Sequence, residues 1–128
     1  MLKASEVMTK TVTTIHQNKM LLDAIEILVC QEVSGLPVVN DKGKMVGIIT
    51  EKDMLNFAFS GNLKTTRVED VMTKEVVFFS PDDDVDAIAL AVSQDRFRRV
   101  PIVENDNLVG VISRRDIIRA ALHIHCKR

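Results

Sequence analysis

The sequence predicts a mixed α/β (α+β) fold made of two copies of one β-α-β-β-α unit, and three observations predict it. First, Val7-Met8-Thr9-Lys10 returns as Val71-Met72-Thr73-Lys74, and Leu36-Pro37-Val38-Val39 returns as Val100-Pro101-Ile102-Val103, both 64 residues on. Second, Gly47-Ile48-Ile49-Thr50 returns as Gly110-Val111-Ile112-Ser113 at an offset of 63, so the second copy has the shorter turn. Third, short β-prone runs alternate in each copy with apolar residues at helical spacing. Two copies are fewer than a stacking solenoid needs, which leaves a pair that closes on itself with pseudo-twofold symmetry. The repeat boundaries fall at 1–64 and 65–128.

Taken in order, Val12 to Ile15 and Val76 to Phe79 are the expected first strands, ended by His16-Gln17-Asn18 and Ser80-Pro81-Asp82. Leu21, Ala24, Ile25 and Leu28 then form an i, i+3, i+4, i+7 stripe that Val85, Ile88, Ala89 and Val92 repeat, so an amphipathic helix succeeds each strand. Asp82 to Asp84 stand at the start of the second of these helices. Carboxylates there cap the helix and oppose its dipole, the alternative use being a metal site. Pro37 and Pro101 open the middle strands, because proline cannot donate to a ladder and marks a strand start or an edge. Polar turns, Asn40 to Lys44 and Glu104 to Asn107, lead into the third strands, which Thr50 and Ser113 hand over to a closing helix. The first closing helix is expected over about Glu51 to Phe59, stopping near Ser60-Gly61-Asn62. The second carries Ile117, Ile118, Ala121 and Leu122 on one face. The Gly61 to Arg67 linker is short, so the halves are not expected to move independently.

A chain of 128 residues with 46% hydrophobic content can bury a sizeable core. A net charge of −1 and a pI near 6.3 give no global attraction to nucleic acid or an anionic membrane. Phenylalanine is the only aromatic residue type, so a base-stacking platform is lacking too. All eight arginines, from Arg67 onward, lie in the second half, while the first half has only lysines. A guanidinium fork suits phosphates and carboxylates better than an ammonium does, so the halves are not functionally equivalent. Two cysteines, Cys30 and Cys126, are no disulfide framework and fit a reducing compartment. No apolar run approaches the roughly 18 residues of a membrane span, and Met1 to Lys10 lacks a signal-peptide core. A cytoplasmic protein with no membrane partner is expected.

Two elements carry candidate chemistry. Thr50-Glu51-Lys52-Asp53 and Ser113-Arg114-Arg115-Asp116 read as capping boxes, in which the hydroxyl accepts from the N–H three residues on and the acid reaches back. The box usually employs Glu or Gln, however, and an Asp free to point outward from a strand-to-helix mouth can accept from both hydroxyls of a ribose. The hydroxyl and helix N-terminus there favour phosphate or ribose oxygens. The two roles are compatible. Ser34-Gly35-Leu36 and Arg98-Arg99-Val100, just before the prolines, have main-chain groups able to read a base edge, with Leu36 and Val100 as an apolar shelf. The plainer reading is an ordinary strand opening and, for Arg98 and Arg99, solvated surface; sharing a mouth with hydroxyl and Asp, they can instead pair with phosphates. Catalysis has little support: His16 lies in a turn without a Ser or Cys nucleophile pattern, and there is no P-loop or GxGxxG. His123-Ile124-His125-Cys126 suits a transition metal by residue type and a frayed terminus by position.

Together the twofold order of VMT, β-run, amphipathic helix, LPVV, turn, GIIT, xxD and helix resembles the cystathionine-β-synthase (CBS) domain family in its tandem form, the Bateman module. The resemblance covers essentially all 128 residues, so a stand-alone module is expected, with no catalytic domain and no enzymatic activity. It implies two motifs packed through their sheets, with two composite clefts for adenosine-containing ligands such as AMP, ADP, ATP or S-adenosylmethionine, and no obligatory cofactor or metal. By similarity, Ser113 and Asp116 would hold ribose and phosphate in a cleft whose base wall comes from Thr13, Val33, Ser34, Gly35 and Leu36. Thr50 and Asp53 would serve the other, walled by Val77, Phe97 and Val100, with Arg98 and Arg99 as the phosphate-side cations. Because these arginines replace small residues, unequal affinities are expected. Bateman modules commonly pair, so a homodimer is implied. The function implied is a nucleotide sensor that signals to a regulated protein in trans; the alternative is a ligand-free structural module that mediates association.

Overall fold

The computed structural model describes residues 2–59, 61–94 and 98–125, the side chains of 123–125 excepted. In chain order its elements are α1 (Ala4–Val7), β1 (Ile15–His16), α2 (Leu21–Gln31), β2 (Gly35–Val39), β3 (Met45–Thr50), α3 (Glu51–Leu55), α4 (Val68–Val71), α5 (Val85–Ser93), β4 (Arg99–Glu104), β5 (Asn107–Ser113) and α6 (Arg114–His125). Helices and strands are mixed in each half, as an α+β fold requires.

The compact units of the chain are not its sequence repeats. One is continuous, residues 13–76; the other is discontinuous, residues 1–12 with 77–128. The division differs from boundaries at 1–64 and 65–128 because each repeat's leader docks on the other repeat's last strand. Thr9 and Val111 exchange backbone hydrogen bonds of 2.8 and 3.0 Å, and Thr73 and Ile48 exchange bonds of 2.8 and 2.9 Å.

In the continuous unit β1 runs parallel to β2, and β2 antiparallel to β3 with Gly35 opposite Thr50. The apolar stripe of α2 closes over this sheet: Leu21, Ala24 and Leu28 join Ile15, Leu36, Val38, Ile49, Met54 and Val68 in one core. In the discontinuous unit β4 and β5 form an antiparallel pair with Arg99 opposite Ser113. There Ala4, Ile88, Val92, Val100, Ile102 and Ile112 make the core.

Four expectations need correction. The first strand is Ile15–His16 rather than Val12 to Ile15, because β2 offers partners only at Val38 and Val39. Its counterpart at Val76 to Phe79 is reduced to one bridge, Phe79 to Ile102. The helix expected to Phe59 ends at Leu55, and Asn56 is the C-cap; beyond it the Phe57 amide donates to the Met54 carbonyl at 3.0 Å, a tightened last turn in which Phe57 packs against the core while Leu55, Asn56 and Phe59 stay exposed. Finally, the acid at the α5 start that bonds locally is Asp83, which accepts from the Ser80 amide at 2.7 Å, whereas N-cap Asp84 makes no side-chain cap bond.

The hairpins explain the one-residue difference in offset. In the first, Asn40 Oδ1 accepts from the amides of Lys42 and Lys44 at 2.9 and 3.0 Å, and Gly43 takes φ +77°. In the second, Asn105 and Asp106 adopt φ of 52° and 66°. A tight turn with two left-handed central residues has the twist a hairpin needs, and Asn and Asp tolerate that conformation better than other side-chain-bearing residues.

Candidate functional site

Each last strand ends on a hydroxyl that starts a helix. At the α3 start the Thr50 amide and hydroxyl both donate to Asp53 Oδ2, at 2.9 and 3.0 Å, and the Asp53 amide donates back to Thr50 Oγ1 at 3.3 Å. At the α6 start the Ser113 amide and hydroxyl donate to Asp116 Oδ2 at 2.9 and 3.1 Å, and the Asp116 amide returns a bond of 3.2 Å. The structure therefore forms both capping boxes. The expectation of carboxylates pointing freely outward is corrected: one oxygen of each is committed to the box. Asp116 is 8% exposed, while Asp53 is half-buried.

The other carboxylate oxygen is engaged by residues whose role the sequence alone does not reveal. Thr9 Oγ1 donates to Asp116 Oδ1 at 3.2 Å, and Arg119 Nη1 lies 3.5 Å from the same oxygen. Thr73 Oγ1 lies 3.1 and 3.3 Å from the two oxygens of Asp53. Both threonines belong to the repeated Val-Met-Thr leader, and the glycines of the third strands let that leader approach. A Cβ on Gly47 would stand 2.8 Å from Met72 Sδ and 2.8 Å from the Thr73 carbonyl oxygen; one on Gly110 would stand 2.6 Å from Met8 Sδ and 3.0 Å from the Thr9 carbonyl oxygen. The signal for this contact along the chain is the strict recurrence of Met-Thr and of Gly.

The strand-entrance residues lie beside these boxes within each unit. Gly35 pairs with Thr50, and the Glu51 amide donates to the Ser34 carbonyl at 3.0 Å. Arg99 pairs with Ser113, and the Arg114 amide donates to the Arg98 carbonyl at 3.4 Å. Arg98 is exposed and Arg99 half-buried. Thr13 donates its hydroxyl to Gln31 Oε1 at 2.7 Å, Val33 packs against the continuous unit's core, and Val77 is exposed. Thr13 and Val33 to Leu36 thus share a unit with Thr50 and Asp53, and Val77 and Arg98 to Val100 share one with Ser113 and Asp116. Leu36 and Val100 are both 0% exposed, so their side chains are core rather than an apolar shelf, a correction that comes from their inward register. Phe97 lies outside the described residues.

His16 is committed to its turn. Its Nδ1 accepts from the Asn18 amide at 3.1 Å and its Nε2 lies 2.7 Å from Asp41 Oδ1, which together select the neutral tautomer with the proton on Nε2. An open cleft of about 430 Å³ beside β1 and α2, lined by His16, Lys19, Asp23, Glu26 and Cys30 among others, contains none of the strand-entrance or capping residues. Among the described residues no three His, Cys, Asp or Glu side chains are grouped to hold a metal ion, and no helix is long and apolar enough to cross a membrane. The side chains of His123 and His125, and Cys126 entirely, lie outside the described residues.

Known proteins match the chain in the same two parts. A family model described as the CBS domain matches twice, at residues 4–60 and 68–123. The chain is 38% identical over 118 residues to an inosine-5'-monophosphate dehydrogenase of Methanocaldococcus jannaschii, a match that covers 91% of this chain and 23% of that protein. It is 34% identical over 115 residues to an L-aspartate semialdehyde sulfurtransferase of the same organism, covering 89% of this chain and 22% of that one. It therefore spans about a quarter of either relative's length. Among solved structures, CBSX2 in complex with AMP superposes with a TM-score of 0.87 at 28% identity, covering 98% of this chain and 99% of that chain. CBSX2 from Arabidopsis thaliana, at 26% identity, gives 0.89 over 98% of both chains. The CBS domain pair of protein MJ0100, in complex with 5'-methylthioadenosine and S-adenosyl-L-methionine, gives 0.78 at 30% identity over 94% of this chain and 99% of that one. Matched in both halves and alike in fold to CBS pairs over nearly all its length, the chain belongs to the CBS domain family.

Proposed function

We propose that the chain is a regulatory module that binds an adenosine nucleotide, of the AMP, ADP, ATP or S-adenosylmethionine class, and passes its occupancy to a partner protein. The observation that carries this reading is the twofold hydroxyl and carboxylate pair at a strand-to-helix mouth, Thr50 with Asp53 and Ser113 with Asp116. A carboxylate accepts two hydroxyls as a ribose diol presents them, and a strand entrance beside it offers main-chain groups to a base. Two proteins of the same fold, CBSX2 and the MJ0100 pair, were solved with adenosine-containing ligands, which supports the same ligand class here. In this reading Thr13, Val33, Ser34, Gly35, Leu36, Val77, Phe97 and Val100 supply the base walls, Leu36 and Val100 through backbone groups. Arg98 and Arg99 supply cations for phosphate in the cleft that Thr50 and Asp53 serve. The role is regulatory rather than catalytic: acceptors and cations at a mouth hold a ligand without activating a nucleophile. Signalling requires two states of the module with unequal affinity, because a ligand that binds both equally shifts nothing.

A thermal-shift screen against AMP, ADP, ATP and S-adenosylmethionine tests the reading. At about 100 times its dissociation constant a ligand adds about 2.7 kcal/mol, or several degrees for a chain of this length. A shift that shrinks in Asp53→Ala or Asp116→Ala supports it. Shifts unaffected by either substitution or by both together reject the site.

A second reading, an association module, is favoured by one specific observation. Leu55 and Ile118 occupy equivalent positions of the two closing helices and are 70% and 66% exposed, and Phe59 and Leu122, also equivalent, are exposed as well. Such faces pair in a homodimer, and the two readings are compatible.

A further inference from the structure

The leader threonines touch the two carboxylates assigned to ribose, and a role for them in binding rests on that assignment. A carboxylate offers about four lone-pair positions. Those of Asp116 are met by four donors: the Ser113 amide and hydroxyl on Oδ2, and the Thr9 hydroxyl and Arg119 Nη1 on Oδ1. Those of Asp53 are met by the Thr50 amide and hydroxyl on Oδ2 and by Thr73, shared between both oxygens. A ribose diol brings two donors, so it cannot simply add to Asp116, nor to Asp53 with its three donors, with good geometry; it must take a place that a protein donor holds. The capping bonds are local to the helix starts, so the exchangeable donors are the leader threonine and, at Asp116, also Arg119, which lies 3.5 Å away on a side chain 68% exposed.

We propose that Thr9 and Thr73 are affinity-setting residues of the two ribose sites, their hydroxyls standing on Asp116 and Asp53 in the place of a ligand hydroxyl and leaving when the ligand arrives. Each threonine sits shortly before a point where the chain passes from one compact unit to the other, at 12/13 and at 76/77. Displacement of the hydroxyl thus acts on the segment that joins the units, while the Thr9–Val111 and Thr73–Ile48 bridges keep the leader docked through its backbone. Arg119 is a further donor at Asp116 for which no counterpart appears at Asp53 among the described residues, so the competition is stronger at Asp116.

The test is calorimetric titration of the full chain with AMP, comparing the parent with Thr9→Val, Thr73→Val, Thr9→Ser and Thr73→Ser. Valine keeps the shape and removes the hydroxyl; serine keeps the hydroxyl. The valine variants are expected to bind AMP about fivefold more tightly, the exchange of one hydrogen bond, and to melt lower without ligand because an acceptor has lost its donor. The serine variants are expected to match the parent. A purely structural threonine would give lower melting with weaker or unchanged binding, and that result in both valine variants overturns the proposal while leaving the nucleotide reading intact. Absence of AMP binding by the parent and every variant overturns both.

Discussion

The Thr9 hydroxyl donates to Asp116 Oδ1 at 3.2 Å, joining residues 107 positions apart, and Thr73 does the same to Asp53 at 3.1 Å. This relationship turns a local helix cap into a tertiary contact. In each unit one carboxylate ends a strand, starts a helix and holds the leader that pairs with the strand's edge.

Asp116→Ala is accordingly expected to cost more stability than an ordinary cap. It takes a buried acceptor from the half-buried Ser113 amide and removes the tether on Thr9, for a loss of about 1–3 kcal/mol, although water can meet the exposed Thr9 hydroxyl. Asp53→Ala should cost less, because Asp53 is half-buried where Asp116 is buried, so water replaces more of what is removed. Thermal melts of the two variants without ligand decide it; equal losses would show that burial does not set the cost.

The glycines under the leaders separate in the same way. Gly47→Ala places a Cβ 2.8 Å from both the Thr73 carbonyl oxygen and Met72 Sδ, and backbone cannot step aside without breaking the Thr73–Ile48 bridge. At Gly110 the nearest atoms belong to the flexible Met8 side chain, with the Thr9 carbonyl at 3.0 Å. Both substitutions destabilise by about 1–3 kcal/mol, Gly47→Ala the more. Denaturant unfolding checks the order, and Met8→Ala should recover part of the Gly110→Ala loss but Met72→Ala little of the Gly47→Ala loss.

These contacts mark the limit of what can be read from the sequence. The repeat, the amphipathic stripes of α2 and α5, the proline-led strands and the hydroxyl-to-Asp boxes are local patterns with fixed periods, and the structure carries each of them. Pairing partners are not local. Val12 to Ile15 has the composition of a strand, yet only Ile15 of that run finds a neighbour, and Val76 to Phe79 keeps one bridge. Likewise Met8-Thr9 and Met72-Thr73 recur visibly, but nothing along the chain says that each leader belongs to the other repeat's strand. That exchange also displaces the compact units from the repeats. Leu36 and Val100 cannot serve as a shelf because a strand entrance places alternate side chains in the core, and inward or outward register depends on partners that lie elsewhere in the chain.

If Asp53 and Asp116 take a ribose diol, the 2'-hydroxyl matters. 2'-Deoxy-AMP should bind about 5- to 100-fold more weakly than AMP, since a carboxylate stripped of water and of its threonine would be left with one acceptor unmet. Asp53→Ala or Asp116→Ala should shrink that preference at the altered mouth. Titration of both ligands against parent and variants measures it; equal binding of AMP and its deoxy form would remove the carboxylates from the ribose.

The closing helices supply the last prediction. Leu55 and Ile118 are large, apolar and exposed, and equivalent positions in two repeats give matched patches that a second copy can meet. Because both side chains already face water, Leu55→Asp and Ile118→Asp should change the monomer's stability by no more than about 0.5 kcal/mol. Their effect belongs in association. A parent dimer in sedimentation equilibrium should become a monomer in the double variant, with nucleotide binding retained if the mouths act within one chain and lost if pairing completes them. A parent that sediments as a monomer at every concentration would instead assign these faces to a different protein, and the regulated partner would then be sought there.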